Sequence, residues 1–275
     1  MKAWRMQALG DPWDALTVVE VDVPTVTDEQ VHVRVEATDL NFADILQCQG
    51  KYQVRRPLPF TPGMTAAGVV LNAPAGSRFS PGDRVIGPTL EQFGGYGEEA
   101  VLSESQSFPV PEGVSAVDVA GIHVTHATTW CAYFHRDQLQ PEDTVLVLAA
   151  AGGVGSSAVQ MARAHGCQVI AAAGGEEKAE LCRQLGANHV IDYQHEDLYR
   201  QVKALTDDRG VDVVYDPVGG EYFDSARRLL AWEGRYLVIG FASGTIPAAP
   251  ANHVLVKTYS IVGVHMGGYR ENNPA

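Results

Sequence analysis

Residues 144–155, TVLVLAAAGGVG, combine types and spacing suited to binding a phosphate-bearing coenzyme. An apolar run enters a turn of the form Ala149-x-x-Gly152-x-x-Gly155, and a helical pattern follows. A strand feeding such a turn and then a helix is how the first βα unit of a dinucleotide-binding fold reads. Gly152 lets the backbone approach a pyrophosphate, and Gly155 lets the helix pack closely on its strand. The free N–H groups and positive dipole end of the helix would hold the phosphates, so Gly152, Gly153, Val154 and Gly155 are candidate cofactor-binding residues. Ala150 stands where the usual G-x-G-x-x-G has its first glycine.

The end of the second strand selects the coenzyme. In an NAD enzyme an acidic side chain about 20 residues past the glycines binds the ribose 2′-hydroxyl. Gly174 stands 19 positions beyond Gly155, with Gly175 after it, and neither has a side chain for that role. A glycine leaves room for a 2′-phosphate, and Lys178, soon after, offers it an ammonium partner. NADPH is therefore expected over NADH. Glu176 and Glu177 argue the other way, but they also read as favourable charge in the first turn of a helix.

These residues need a scaffold. Val154, Ala158, Met161, Ala162 and His165 recur on one helix face, and Gly166 is the stop. Strands are expected near Thr144, Gln168, His189, Val211, Arg235 and Ser260, with helices over 176–185, 197–205 and 222–231. That alternation predicts an α/β domain with a doubly wound parallel sheet in the order 3-2-1-4-5-6. Asp216, in the turn DPVGG that follows the fourth strand, reads as a cap. Before this region the chain reads as short strands, at 16–23, 31–37, 66–71, 84–86 and 98–102, punctuated by turns such as Pro81-Gly82-Asp83. Their spacing suggests a small barrel-like domain. Residues 117–139 read as helical, interrupted around His123 to Thr125. The expected domains are 1–120 and 121–275.

Composition bounds the class. The chain has 275 residues, 45% hydrophobic, and a formal net charge of −13, which argues against a nucleic-acid partner. No run approaches the roughly 18 apolar residues of a membrane span. The start, MKAWRMQALG, has no apolar signal core. Cys48, Cys131, Cys167 and Cys182 form no CxxC pair, which suits reduced thiols. These features fit a soluble cytoplasmic enzyme with no membrane partner.

The stretches NFADILQCQGKY (41–52), LPFTPG (58–63), AAAGGVGSSAVQMA (149–162), LGANHVIDY (185–193), DVVYDPVGG (212–220) and GRYLVIGFASG (234–244) together give a specific likeness. The chain resembles the zinc-free quinone oxidoreductase, or zeta-crystallin-like, branch of the medium-chain dehydrogenase/reductase superfamily. The resemblance implies a catalytic GroES-like β-barrel domain, a Rossmann domain, NADPH, a small-molecule quinone or enone substrate, and a homodimer paired along an edge strand at 260–264. It places Asn41 by the nicotinamide and makes Tyr52 the candidate proton donor. It puts Thr125, Thr128, Tyr193, Gly240, Phe241 and Ser243 on the cofactor. Each has a structural alternative: a cap for Asn41, Thr125 and Thr128, and packing for Tyr52, Tyr193 and Phe241. Loops 51–60 and 91–96 are expected to shape the substrate pocket.

Zinc-carrying members of the superfamily have a cysteine at or near Thr38 and Gly-His-Glu where this chain has Gly63-Met64-Thr65. Met64 and Thr65 are poor zinc ligands. The 88–100 segment has no cysteine, and His123 and His126 read as packing, so no metal is expected. Without a Lewis acid, quinones or alkenes conjugated to a carbonyl are the fitting acceptors. The chain departs from the branch at Thr65, where a glutamate is common. The family also runs some tens of residues beyond Tyr269, so the C-terminal part is expected to be shortened. Three readings follow: an NADPH-dependent quinone reductase, a zinc-free enoyl-thioester or enone reductase, and a low-turnover NADPH-binding structural or regulatory protein.

Overall fold

A computed structural model describes residues 1–90 and 92–273. Position 91 of the 91–96 loop and the last two residues of the second expected domain lie outside the described residues. Backbone contacts divide the chain into two compact units, Met1–Val124 and Thr125–Ala275.

In the first unit β1 (Lys2–Met6) pairs antiparallel with β2 (Leu16–Glu20) across the short helix α1 (Pro12–Ala15). A five-stranded antiparallel sheet contains β3 (Gln30–Ala37), β4 (Thr65–Asn72), β5 (Arg84–Pro88), β6 (Glu99–Ser103) and β7 (Phe108–Pro109), in the order β6-β3-β4-β5-β7. Val31, Val33, Ala66, Val70, Val85 and Leu102 form its core, as alternating strands with one buried face should. The helix α2 (Phe42–Cys48), between β3 and β4, does not bury its large apolar positions. It buries Asp44, Gln47 and Cys48, while Phe42 and Ile45 stay exposed.

The helix α3 (Ala116–Trp130) leads into the second unit and passes unbroken through 123–125, where an interruption was expected. Local propensity there is weak, with β-branched Val124 and Thr125 in succession. Burial overrides it: Thr125 is buried, and Thr129 is fully buried with its hydroxyl 3.0 Å from the Thr125 carbonyl and 2.9 Å from the Tyr215 hydroxyl. A π-helical segment, Cys131–Asp137, follows directly.

The second unit then alternates strictly. Its elements are β8 (Thr144–Val147), α4 (Gly153–His165), β9 (Gln168–Ala173), α5 (Glu176–Gln184), β10 (His189–Asp192), α6 (Leu198–Leu205), β11 (Val211–Asp216), α7 (Tyr222–Arg228), β12 (Leu230–Val238), α8 (Ala251–Lys257), β13 (Ser260–Gly263) and α9 (Met266–Asn272). The sheet runs β10-β9-β8-β11-β12-β13, all parallel, which is the expected 3-2-1-4-5-6 order. Both faces are covered. Val145 and Val147 of β8 join Ala158 and Ala162 of α4 in one core, while Leu146 joins Val202, Ala226 and Leu229 in the other. The helix expected over 222–231 is shorter, because Leu230 already belongs to β12. Among the described residues no helix is long and apolar enough to cross a membrane.

The junction of β8 and α4 is very close. Ala149 adopts a left-handed φ of 48°, and its carbonyl accepts the Gly152 amide at 2.8 Å. A Cβ on Gly155 would lie 2.2 Å from that same carbonyl oxygen. Gly155→Ala should therefore destabilise the protein by about 3 kcal/mol or more and lower its melting temperature by roughly 5–10 °C. Gly121→Ala, whose Cβ meets open space inside α3, should be neutral or stabilising. Equal melting curves for the two variants would show that the close approach is not a constraint.

Candidate functional site

Gly152 is the N-cap of helix α4, and no side chain caps the helix. The amides of its first turn, including Gly153, Val154 and Gly155, are thus presented to an anion at the positive end of a 13-residue helix. Thr125 reaches this turn: its Cγ2 lies 3.2 Å from where a Cβ of Gly153 would stand. Thr128 is half-buried on the same helix, and both threonines lie inside α3, so neither is a cap.

At the end of β9, the room expected at Gly174 is filled by an aromatic ring. A Cβ on Gly174 would meet Tyr193 Cε2 at 2.9 Å, so the glycine admits the Tyr193 ring to this turn. Tyr193 also packs against Tyr222, with ring centroids 5.5 Å apart. Asp192, which sequence reading passed over, accepts the Gly175 amide at 2.8 Å and the Gln194 amide at 3.0 Å. Its other oxygen lies 2.8 Å from His195 Nδ1. The Gly175 amide and these partners hold its carboxyl down at about 2. Its lone pairs are thus turned to the protein. Glu176 is bound by Arg183 at 2.7 Å. Lys178 is exposed in the first turn of α5 and forms no ion pair among the described residues.

The third group follows β12. The Ala242 amide donates to Pro217 and the Ser243 amide to Val218, both at 3.0 Å, which ties the loop bearing Gly240, Phe241 and Ser243 to the turn after β11. Asp216 caps that turn by accepting the Val218 and Gly219 amides at 2.7 and 2.9 Å, and it takes the Tyr236 hydroxyl at 2.7 Å. All these loops leave the carboxyl ends of parallel strands, the edge at which open α/β sheets take ligands.

The first unit organises its polar residues around a buried carboxylate. Asp44 accepts the amides of Asn41 (2.9 Å), Gly63 (3.2 Å) and Met64 (3.1 Å), and the Tyr96 hydroxyl lies close enough to favour its charged form. Asn41 is therefore the N-cap residue of α2, while its side-chain Nδ2 is buried without a partner. Buried and unpartnered with it are both oxygens of Asp39, Thr65 Oγ1 and Arg56 Nη1. Burial, opposed by the nearby Asn41 amide and reinforced by Asp44, pushes the Asp39 carboxyl up. The Asn41 amide and Thr65 hydroxyl lie close enough to favour its charged form, yet neither meets hydrogen-bond geometry. Tyr52 is half-buried, and burial followed by the Asp44 charge pushes its phenol up, so it keeps its proton. Nothing in the sequence marked Asp39, Asp44 or Arg56, since single charged residues between apolar ones read as solvated.

Zinc does not fit this donor set. The Thr38 hydroxyl donates to the Thr65 carbonyl at 2.7 Å, and Met64 and Thr65 follow Gly63. Among the described residues no three His, Cys, Asp or Glu side chains converge as a metal site. All four cysteines are free and buried.

A carboxyl raised by folding carries a cost that is absent below the ordinary aspartate value of 3.8 and appears as pH rises through the folded value. Asp39→Asn should stabilise the protein near neutral pH, with the gain vanishing as pH falls below about 4. Urea midpoints against pH check this; a variant less stable than the parent at pH 7 would show that Asp39 is held as a charged, satisfied group.

The chain matches two sequence families: the alcohol dehydrogenase GroES-like domain over residues 27–112 and the zinc-binding dehydrogenase family over 153–275. It is 44% identical over 260 residues to quinone oxidoreductase-like protein 2 of Bos taurus, covering 94% of this chain and 74% of that protein. A quinone oxidoreductase structure from Pseudomonas syringae pv. Tomato DC3000 superposes with a TM-score of 0.90 at 32% identity, over 98% of this chain and 83% of that one. The Escherichia coli quinone oxidoreductase complexed with NADPH gives 0.86 at 27% identity, over 98% and 82%.

Proposed function

Since the chain belongs to the quinone oxidoreductase branch of the medium-chain dehydrogenase/reductase superfamily, we propose that it passes hydride from NADPH to a quinone or another activated conjugated acceptor without zinc. The observation that carries this reading is the turn at the end of β9. There the Tyr193 ring takes the space at Gly174, but Asp192 is engaged with backbone amides and offers no carboxylate to ribose hydroxyls, and Lys178 forms no ion pair among the described residues. That set suits a 2′-phosphate better than a pair of ribose hydroxyls. The NADPH in the Escherichia coli relative supports it.

When bound, the coenzyme supplies the hydride. The uncapped amides of α4 would hold its pyrophosphate, with Thr125 and Thr128 beside them. Gly240, Phe241 and Ser243 would orient the nicotinamide half. Asn41, whose Nδ2 lacks a protein partner, would supply an amide to the nicotinamide end. Tyr52 is the proton donor. Its phenol, held neutral, is what reduction of a conjugated alkene requires, because hydride at one carbon must be matched by a proton at the other. That observation keeps an enone or enoyl-thioester reductase as the second reading.

We place the protein in the cytoplasm as a homodimer paired along β13. This strand is an edge of the six-stranded sheet, and Ile261 on it is exposed, as are Leu255 and Val256 of α8.

Stopped-flow mixing with NADPH and a benzoquinone should show coenzyme oxidation well above the buffer control, unchanged after dialysis against a chelator. A rate at the control level, or one lost with the chelator, would overturn the reading. Tyr52→Phe should slow reduction of an enone by about 100-fold while leaving NADPH affinity intact. An unchanged rate removes Tyr52 from the chemistry.

A further inference from the structure

A second charged site lies in the Rossmann unit, away from the coenzyme turns. A cleft of about 540 Å³ is lined by Tyr199 of α6, Arg227 and Arg228 of α7, and Asn252, His253 and Lys257 of α8. That volume is in the range of small-molecule sites, about 300–1,000 Å³. The chain as a whole carries a net charge of −13, so a cleft lined by two arginines and a lysine runs against its composition.

The charges are only partly matched. Arg227 is 5% exposed, and it pairs with Asp224 through Nη2 at 2.6 Å and Nε at 2.7 Å. Its Nη1 is buried with no partner. Lys257 donates to the carbonyls of Arg228 (3.0 Å) and Leu230 (2.7 Å), which brings no negative charge. Arg228 is exposed at the rim. His253 Nδ1 and the hydroxyl of Tyr259, whose ring packs on His253 at 5.6 Å, are also buried and unpartnered. Burial, with Arg227, Lys257 and Arg228 behind it, pushes the His253 imidazole down. Two of the lining side chains, Arg227 and His253, thus each keep a buried nitrogen without a partner, at a cleft whose cations outnumber the one carboxylate paired with them, Asp224. A buried guanidinium donor left unmatched is costly, and an anion with several acceptor oxygens would satisfy Arg227 Nη1 while balancing Arg228 and Lys257.

We propose that this cleft is a binding site for a small phosphate-bearing molecule, separate from the coenzyme's own phosphate sites. A dianion matches the surplus positive charge better than a single carboxylate does, and its oxygens can accept from both arginines and from Lys257. None of the lining residues belongs to the turns that hold the coenzyme.

Inorganic phosphate titrated by calorimetry into the NADPH-saturated protein tests this. Saturable binding at one site is expected, weakened at least about tenfold by Arg228→Glu and by Arg227→Gln, and unaltered by Lys178→Ala. Arg228 is exposed, so its variant should keep the parent melting temperature and remain informative if Arg227→Gln does not fold. Acetate should bind markedly more weakly than phosphate. No saturable uptake, parent-like binding by Arg228→Glu, loss on Lys178→Ala, or equal binding of acetate would each overturn the proposal. None of these results depends on turnover of an acceptor, so they stand apart from the hydride-transfer reading.

Discussion

The Rossmann unit depends on one close approach of backbone to backbone. The Gly155 Cα sits so near the Ala149 carbonyl that no side chain fits between them. This contact lets α4 start where β8 stops, with Ala149 absorbing the sharp change of direction in a left-handed conformation that costs an alanine on the order of 1 kcal/mol. Its consequence is chemical. The first amides of α4 have no side-chain cap among the described residues, and Thr125 is brought against the same turn.

The first unit solves its positioning problem differently. There a buried carboxylate, Asp44, gathers three amides from two segments far apart in sequence. Burial pushes the Asp44 carboxyl up, and those amides oppose the shift. Asp39, close by, is pushed up by burial as well, and its oxygens have no donor in hydrogen-bond geometry. The two acids differ in what holds them: Asp44 ties distant segments together, whereas Asp39 ties none.

The strand order of the Rossmann unit was legible because its signals are local and repeated. Each β-strand is a short apolar run, and glycines such as Gly166 and Gly186 close the helices between them. Illegible features were those set by tertiary contacts. Helix α2 buries polar residues and exposes Phe42 and Ile45, so its periodicity points the wrong way. The apparent break at His123 to Thr125 is overridden by packing around Thr129 and Tyr215. Gly174 was legible as a position that must lack a side chain, but the sequence offered an empty space, whereas the Tyr193 ring occupies it. The acids at 39, 44 and 192 could not be told from solvated ones, because their partners are amides supplied by the fold or, for Asp39, are missing.

Preference for the phosphorylated coenzyme tests the account most directly. Calorimetric titration with NADPH and with NADH should give NADPH the tighter binding by at least about tenfold, a difference of about 1.4 kcal/mol, and Lys178→Ala should narrow that gap. NADH binding as tightly as NADPH, or more tightly, would contradict it.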